Sequence, residues 1–424
     1  MRIFLLGINY HPELTGIGKY TGELATWLAE QNQEVIVATA PPYYPEWKVH
    51  PGYSPFRFRQ ENIEGVTVIR CPLWVPKRPS GMARILHLAS FAISSSLAAI
   101  YAGYRYRPDL IIVIEPPLFC SPTAILLARF TKGRSWLHIQ DLEVDAAFEL
   151  NILKSERLRH WALRIESTLM RNFDRVSTIS DAMLKRVGQK GVPLDRLVLF
   201  GNWADLTHLS PDPKAGLQFK ESQNIPKNQR IALYSGNLGE KQGVEIVVEA
   251  AQLLRHRSDL TFIICGSGAA EIRLREIAKG LPNVIFLPLQ PKEVFHQMLN
   301  AADVHLLPQR HDAADLVMPS KLTGILAVGG LVVATALQET QVGRVVQAVG
   351  GYLTIPGDAE AFAETVVSAI DDPMAAEKAR RLATQYCKEN LSKDIVLDRF
   401  FNHAKRLVNG KSQNPIELNN NSEI

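Results

Sequence analysis

The sequence predicts two α/β domains, each built on a parallel β-sheet with helices packed on both faces. Its 424 residues exceed what one hydrophobic core normally organises, so two domains of ordinary size are expected. Hydrophobic residues make up 46% and charged residues 21% of the chain, a composition typical of soluble globular enzymes. Short apolar runs alternate with longer amphipathic stretches along the chain, which is typical of parallel sheets.

The first half of the chain contains apolar runs with the length of buried strands. These runs are residues 2–9, 34–40, 109–115, 135–140 and 175–179. Amphipathic stretches at about residues 19–31 and 122–132 predict helices between them. Ser180 and Asp181 follow the last run and predict the N-cap of another helix. Residues 41–55 are rich in Pro and Tyr, which predicts an ordered loop.

A second alternating series follows the loop that ends at residue 228. Its predicted strands are residues 230–235, 260–265, 284–287, 304–307 and 331–334. Its predicted helices lie at about residues 244–255, 270–279, 291–301 and 321–328, and further helices from about residue 359 to residue 406 close the chain. The composition breaks near residues 210–213, so we predict domains at 1–208 and 209–385. For residues 386–408 we predict a C-terminal helix that packs back toward the first domain. For the Asn-rich residues 409–424 we predict a disordered tail.

Charge and cysteine content narrow the functional classes. A net charge of +4 is too small to indicate a nucleic-acid-binding protein. The four cysteines form no C-x-x-C pair, so neither a disulfide framework nor a zinc site is indicated. The apolar run at residues 3–8 has no cleavage-like site after it, and we interpret it as a buried strand rather than a signal peptide. A cytoplasmic protein is the expectation.

One segment is long and apolar enough for a membrane span. Residues 85–103 are apolar or small at nearly every position, but they include His87 and four serines. A buried or interface-lying helix is therefore the favoured interpretation. Basic residues, among them Lys77, Arg78 and Arg84, outnumber acidic ones between residues 57 and 107. They predict a peripheral contact with an anionic membrane and its acceptor, with an ordinary solvated face as the alternative.

Several loops that follow predicted strands carry glycines. In open parallel sheets, ligands bind beyond the carboxyl ends of the strands, and glycines let backbone amides approach an anion closely. The first domain offers Gly16 and Gly18. The second domain offers these candidates: Gly236 and Asn237 with Lys241, Gly266 and Gly268, and Met318, Pro319, Ser320 and Lys321 at the start of a helix. Together these loops and their two lysines predict a phosphate site.

The sequence offers candidates for chemistry but none for a metal. It contains no D-x-D motif, so we expect Lys241, Lys321 and helix amides to offset the charge of a leaving diphosphate. Asp141 directly follows a strand, where a carboxylate needs polar partners. His138 lies on the same strand face as Gln140, and a buried structural histidine is the alternative to a catalytic one. The candidate catalytic residues are His138, Asp141 and Lys241.

Taken together, these motifs resemble retaining glycosyltransferase family 4. The resemblance rests on Gly16 and Gly18, residues 202–205, Gly236-x-Leu-Gly with Lys241, Gly266-Ser-Gly268, residues 302–308 and Pro319-Ser-Lys321. Residues 138–150 and 317–330 resemble more closely the members that act in colanic-acid biosynthesis. The resemblance covers about residues 1–408. It implies the GT-B fold, in which two Rossmann-like domains face each other across a cleft.

The resemblance also implies an activity and a donor site. The activity is transfer of a hexose-type sugar from a UDP- or GDP-linked donor to a saccharide, expected to be lipid-linked, in exopolysaccharide biosynthesis. Transfer proceeds with retention and without a metal or other cofactor, on the inner face of the cell membrane. The resemblance places Lys241 on the donor diphosphate beside Gly236 and Asn237. The residues expected along the phosphates and ribose are Ser320, Lys321 and Leu322, with Gly16 and Gly18 approaching from the first domain.

Three positions depart from the family pattern. Asn237 stands where many members have Arg, and Gly324 occupies the second position of the Glu-x7-Glu pair. Gln140 replaces the His that usually precedes Asp141. Competing interpretations are a nucleotide-sugar 2-epimerase of the same fold and a two-domain solute-binding protein. An NAD-dependent dehydrogenase is disfavoured because the first glycine loop has the wrong spacing.

Overall fold

A computed structural model describes residues 1–13, 16–77, 81–142, 144, 156–239, 242–310 and 320–410. The chain forms two compact units. The first comprises Met1–Phe200 and Leu397–Ile424, and the second comprises Gly201–Val396. The predicted tail, from residue 411 onward, lies outside the described residues.

The first unit is built on an eight-stranded sheet with the order β3-β4-β2-β1-β5-β6-β7-β8. Its strands are β1 (Arg2–Leu6), β2 (Glu34–Thr39), β3 (Arg59–Ile63), β4 (Val66–Arg70), β5 (Leu110–Glu115), β6 (Arg134–Ile139), β7 (Arg175–Thr178) and β8 (Leu197–Leu199). Every neighbouring pair is parallel except β3 and β4. The helices are α1 (Gly16–Glu30), α2 (Gly81–Arg105), α3 (Ser121–Thr131), α4 (Glu156–Arg171) and α5 (Asp181–Gln189).

The second unit is built on a six-stranded parallel sheet with the order β11-β10-β9-β12-β13-β14. Its strands are β9 (Arg230–Ser235), β10 (Leu260–Cys265), β11 (Val284–Leu287), β12 (Val304–Leu307), β13 (Val332–Thr335) and β14 (Tyr352–Thr354). The helices are α6 (Pro213–Ser222), α7 (Glu245–Leu253), α8 (Glu271–Ile277), α9 (Lys292–Ala301), α10 (Ser320–Ala327), α11 (Gln341–Ala348), α12 (Ala359–Asp371) and α13 (Pro373–Tyr386).

The last helix, α14 (Lys393–Val408), begins in the second unit and ends in the first. Its Phe400 ring stacks on Phe200, with 4.4 Å between the ring centroids, and contacts the Trp136 ring edge-on at 4.9 Å. Phe401 contacts Trp27 of α1 in the same way. Aromatic packing of this kind holds the end of the chain to the first unit.

The central strands have the sequence that a sheet covered on both faces requires. Every residue of β5 and of β10 is buried, and both strands are almost continuously apolar. The predicted helix after residue 179 begins where expected, because the Ser180 hydroxyl accepts a hydrogen bond from the backbone amide of Met183. The prediction of two parallel α/β sheets is confirmed.

Both sheets reverse their strand order at one point, between β1 and β5 and between β9 and β12. Strands on either side of such a point connect in opposite directions, which opens a crevice at their carboxyl ends. The loops after β1 and β9 are therefore the places where each unit is expected to bind ligands.

Candidate functional site

In the second unit, the loops after β9 and β10 are joined by backbone hydrogen bonds. The amide of Gly236 donates to the carbonyl oxygen of Cys265, and the amide of Leu238 donates to that of Ser267, each at 2.9 Å. The amide of Ala270 donates in turn to the carbonyl oxygen of Leu238 at 2.9 Å. The two glycine loops thus form one continuous backbone surface at the carboxyl edge of the sheet.

Glycine is required in these loops by close backbone approach. A Cβ atom on Gly266 would lie 1.9 Å from the carbonyl oxygen of Gly236, and one on Gly268 would lie 2.5 Å from that of Leu238. Gly236 and Gly266 also have φ of 151° and 153°, values that L residues with side chains rarely adopt. The Asn237 side chain is exposed and lies against Gly268. No side chain larger than hydrogen fits at Gly266 or Gly268 without moving the loop.

The side chain of Lys321, in the first turn of α10, lies against this backbone surface. A Cβ atom on Gly236 would lie 3.3 Å from the Lys321 Nζ. The ammonium donates to the Tyr234 hydroxyl at 3.1 Å and to the Gln242 Oε1 at 2.9 Å. It also lies 4.5 Å from the centroid of the Tyr234 ring. Burial lowers the pKa of Lys321 to about 7, and within the described part of the chain no carboxylate opposes that shift.

Tyr234 and Gln242 are site residues that the sequence analysis missed. The Tyr234 hydroxyl accepts from Lys321 and donates to the Asn237 carbonyl oxygen at 2.7 Å, so it links the lysine to the glycine loop. Tyr234 is one of six residues in a largely apolar strand. In the sequence it therefore looks like a core residue, and nothing there indicates a polar role. Gln242 follows Lys241 directly in the sequence. Its position next to that candidate was the only feature that could have indicated a role in the site.

Arg310, which follows β12, forms an ion pair at the start of α7. Its guanidinium donates to the Glu245 Oε1 at 3.1 Å, and Arg273 donates to the same oxygen. Burial acts to raise the pKa of Glu245, but a hydrogen bond from its own backbone amide and the two guanidinium groups hold that pKa below its usual range. Glu245 begins α7, so this ion pair fixes the helix that follows the first glycine loop. No sequence motif indicates that residues 245, 273 and 310 meet.

In the first unit, Gly16 and Gly18 lie in different surroundings. Gly16 is exposed, has φ of 60°, and has open space where a Cβ atom would be. Gly18 is buried, and a Cβ atom there would lie 2.7 Å from Glu13 Oε2. Gly18 is therefore explained by packing, whereas Gly16 leaves room for another molecule.

Glu13 joins the loop after β1 to the loop after β2. Its Oε1 accepts the backbone amides of Tyr43 and Tyr44, both at 3.1 Å, and its Oε2 accepts from Asn9 at 2.9 Å. Burial raises the pKa of Glu13 above its usual range, and these hydrogen bonds partly oppose that shift. No motif in the sequence singles out this carboxylate.

Arg70 makes a second link between the same loops. Its guanidinium is buried and donates to the carbonyl oxygens of His11 and Ala40 at 2.5 and 3.2 Å. It also donates to Glu61 Oε1 at 2.8 Å, which neutralises the buried charge. Two independent polar links therefore hold the described part of the loop after β1, which precedes Gly16.

His138 is enclosed in the first unit. Its Nδ1 lies 2.9 Å from the Ser177 hydroxyl, which also accepts from the Trp136 indole. Its Nε2 lies 2.9 Å from Gln140 Nε2, as the shared strand face predicts. Burial lowers the pKa of His138 to about 3, so the ring is neutral at physiological pH. Its immediate contacts are those of a structural histidine that positions Gln140.

The remaining sequence candidates have diverse locations. Asp141 and Lys77 are exposed, Arg84 is exposed on α2, and Leu322 is fully buried in the core of the second unit. Any contact between Leu322 and a donor would use its backbone. Several candidates lie outside the described residues: Arg78, Lys241, Met318, Pro319 and the side chain of Ser320. Within the described part of the chain, no group of three or more His, Cys, Asp or Glu residues could hold a metal ion.

Comparison with known proteins identifies both units. Residues 15–203 match the glycosyl transferase 4-like domain, and residues 217–388 match the glycosyl transferases group 1. The chain is also 44% identical over 415 residues to WcaI of Escherichia coli, which is named as a colanic acid biosynthesis glycosyl transferase. That alignment covers 96% of this chain and 100% of WcaI. The chain belongs to the family 4-like glycosyltransferases.

Solved structures confirm the fold of this glycosyltransferase. Sucrose-phosphate synthase from Thermosynechococcus elongatus superposes with a TM-score of 0.75 at 17% identity, covering 97% of this chain and 100% of that one. HepE of Anabaena, solved in complex with UDP and glucose, superposes with a TM-score of 0.69 at 14% identity over 96% of this chain and 99% of its own. At such identities the likeness concerns the fold, and it confirms the predicted GT-B class with its Rossmann-like domains.

Proposed function

We propose that this glycosyltransferase moves a hexose-type sugar from a UDP- or GDP-linked donor to a saccharide acceptor during exopolysaccharide assembly of the colanic-acid type. The acceptor is lipid-linked, and the anomeric configuration of the sugar is retained. The similarity to WcaI, which is named for colanic acid biosynthesis, supports the pathway. The complex of HepE with UDP and glucose supports a nucleotide-sugar donor for this fold.

The observation that carries the proposal is the partly buried ammonium of Lys321 beside Gly236. A buried cation costs free energy unless an anion compensates it. Tyr234 and Gln242 accept two of its N–H donors but supply no negative charge. The diphosphate of a nucleotide sugar supplies that charge, and the glycine loops leave backbone space for it.

In this proposal the protein offsets the leaving-group charge with its own groups. Lys321 and Lys241 contact the diphosphate, and the first amides of α10 add the partial positive charge of a helix N-terminus. These groups act on the charge that develops as the glycosidic bond to the donor breaks. We propose no resident metal, because cationic side chains and amides take that role.

On the acceptor side, Asp141 is the proposed contact for sugar hydroxyls. His138 acts through Gln140, because an imidazole with a pKa of about 3 is too weak a base to accept a proton near neutral pH. Gly16 approaches the donor through its exposed backbone. Lys77, Arg78 and Arg84 contact the anionic cytoplasmic face of the membrane, where a lipid-linked acceptor resides.

A thermal-shift screen against UDP, GDP, ADP and NAD, with and without Mg²⁺, tests the donor site. We expect stabilisation by UDP or GDP that does not depend on Mg²⁺, and loss of that stabilisation in Lys321→Met. Lys220→Met is the matched control: this lysine is also partly buried, but it donates to the Gln229 carbonyl oxygen at the opposite end of β9. Stabilisation by NAD alone, or by none of the four, would contradict the proposal.

A further inference from the structure

Helix α2 is apolar on two opposite faces. One face enters the core of the first unit through residues such as Phe91, Ala98 and Ala102. The other face is exposed to solvent. Its large apolar side chains are Met82, Leu86, Ile93, Leu97, Ile100 and Tyr104, all at least 54% exposed. At about 100° per residue these six positions fall within a sector of about 60°, so they form one continuous stripe.

Helix α3 extends this stripe sideways. Leu126 and Phe130 are 63% and 71% exposed and lie one helical turn apart. The two helices touch at Gly103, where a Cβ atom would lie 2.5 Å from Leu127 and 3.6 Å from Phe130. We call the six exposed α2 residues together with Leu126 and Phe130 the outer face. An apolar surface this continuous is unusual on a protein that meets only water.

The charged residues of α2, of α3 and of the segments next to them in sequence are all basic. Residues 65–108 and 116–140 contain no Asp or Glu. Exposed cations lie near both ends of α2 and along α3, namely Lys77, Arg84, Arg105, Arg107, Arg129 and Lys132. Apolar side chains bordered by cations match the two layers of an anionic bilayer surface, the acyl region and the phosphate headgroups.

The core face of α2 determines how it can meet a bilayer. A helix of 25 residues is about 37 Å long, and α2 has the length and composition of a membrane span. However, 33% of its most apolar window is buried inside the protein. To span the membrane, α2 would have to leave the core that holds Phe91. Lying parallel to the surface keeps that core intact and buries the outer face in lipid.

We propose that the outer face inserts into the acyl–headgroup boundary of an anionic bilayer, with α2 parallel to the membrane surface. The inference deepens the membrane contact of the proposed function and rests on it for the biological setting. It assigns most of the binding free energy to apolar side chains of α2 and α3 and a steering role to the basic residues. The occupant of this face is lipid rather than a second protein.

Vesicle binding tests the proposal with a paired variant. Ile93→Asp/Leu97→Asp/Ile100→Asp places three carboxylates on the outer face without touching the core. Ile272→Asp is the control, because Ile272 is 80% exposed on α8 of the second unit. We expect the wild type and Ile272→Asp to co-sediment with vesicles that contain phosphatidylglycerol. The triple variant should lose at least about tenfold in partition coefficient.

Charge and insertion can be separated in the same assay. Raising the salt concentration should weaken, but not abolish, binding of the wild type, because apolar burial is not screened. Lys77→Glu/Arg84→Glu should show a smaller loss than the triple variant on the same vesicles. A charge-reversal variant that loses all binding at low salt, with the triple variant unaffected, would overturn the proposal.

Three further outcomes would also overturn it. The first is wild-type protein that does not bind anionic vesicles. The second is a lipid-free dimer that the triple variant converts to monomer, which would make the outer face a self-association surface. The third is wild-type protein that resists alkaline carbonate extraction from membranes, which would indicate a span. UDP and GDP thermal shifts report on the donor site separately, so a failure of the donor proposal and a failure of this one remain distinguishable.

Discussion

The Lys321 ammonium lies 3.1 Å from the Tyr234 hydroxyl oxygen and 4.5 Å from the centroid of the Tyr234 ring. This arrangement holds the cation in one place by a hydrogen bond and by the negative face of the ring. Neither contact restores the free energy lost on burying the charge. Among the described residues the ammonium thus has polar partners but no carboxylate, an arrangement typical of a site that binds an anion.

The first prediction concerns the variant Lys321→Met. Removal of the ammonium should weaken UDP or GDP binding by about 10- to 150-fold, the worth of a charge-assisted contact of roughly 1.5–3 kcal/mol. It should also raise the melting temperature of the nucleotide-free protein at pH 7, because a partly buried ammonium with no carboxylate partner among the described residues is removed. Isothermal titration and thermal melting measure the two effects. A lower melting temperature with unchanged affinity would show that Lys321 is purely structural.

The second prediction concerns pH. With a pKa of about 7 in the free protein, Lys321 is mostly neutral at pH 8.5, and a bound diphosphate would raise that pKa. Nucleotide binding should therefore take up a proton above pH 7, and affinity should fall by up to about tenfold per pH unit. Titrations in buffers of different ionisation enthalpy measure the uptake. Uptake of the same size in Lys321→Met would assign it to another group.

The third prediction uses two glycines with positive φ. Gly266→Ala brings a Cβ atom within 1.9 Å of the Gly236 carbonyl oxygen, whereas Gly280→Ala has φ of 83° and open space. Both variants incur backbone strain of roughly 1–2 kcal/mol. Only Gly266→Ala must also displace the glycine loop, so it alone should abolish nucleotide stabilisation. Equal effects of the two variants in denaturant melts and thermal-shift assays would contradict this account.

Sequence patterns predicted the fold because the central strands are covered on both faces. Runs such as residues 110–115 and 260–265 are buried throughout, so hydrophobicity alone marks them. The hairpin of β3 and β4 was not predicted. Residues 59–63 are polar and partly exposed at the sheet edge, and they pair with β4 through the backbone. Backbone pairing of this kind leaves little trace in composition.

The candidate site was predicted only in part, for a similar reason. Loops with glycines are visible in sequence because close backbone approach excludes every other residue, as at Gly266. Partners joined by tertiary contact are not visible. Tyr234 looks like any core aromatic until Lys321, 87 residues later, is placed beside it. Glu13 likewise precedes its partners at Tyr43 and Tyr44 by 30 and 31 residues.

The fourth prediction concerns stability in acid. The pKa of His138 is about 3 in the folded protein, against 6.5 when unperturbed, so the unfolded chain binds more protons between these values. The free energy of unfolding should therefore fall as pH drops below 6.5, by up to about 1.4 kcal/mol per pH unit from this residue. His138→Gln should reduce that slope in urea melts between pH 7 and 5. His208→Gln, at an exposed histidine, is the control.

The pH dependence of transfer separates the two roles of His138. A histidine that exchanges protons with substrate would give kcat an inflection near its pKa within the physiological range. We expect that His138→Gln removes no inflection from the pH profile of kcat, since the buried ring stays neutral above pH 5. Loss of stability with a kcat within about tenfold of the wild type would agree with a positioning role. An inflection near pH 6 to 7 that disappears in the variant would contradict it.

The last prediction separates Gly16 from Gly18. Gly18→Ala forces Glu13 away, since a Cβ atom there lies 2.7 Å from the Glu13 Oε2 that accepts from Asn9. Breaking these buried hydrogen bonds should cost roughly 2 kcal/mol or more in the free energy of unfolding. Gly16→Ala meets no atom, so beyond backbone strain it should act only where the loop meets a ligand. We expect it to raise the KM for the donor more than it lowers the melting temperature, with the reverse for Gly18→Ala. A Gly16→Ala enzyme with wild-type KM would remove this loop from the donor site.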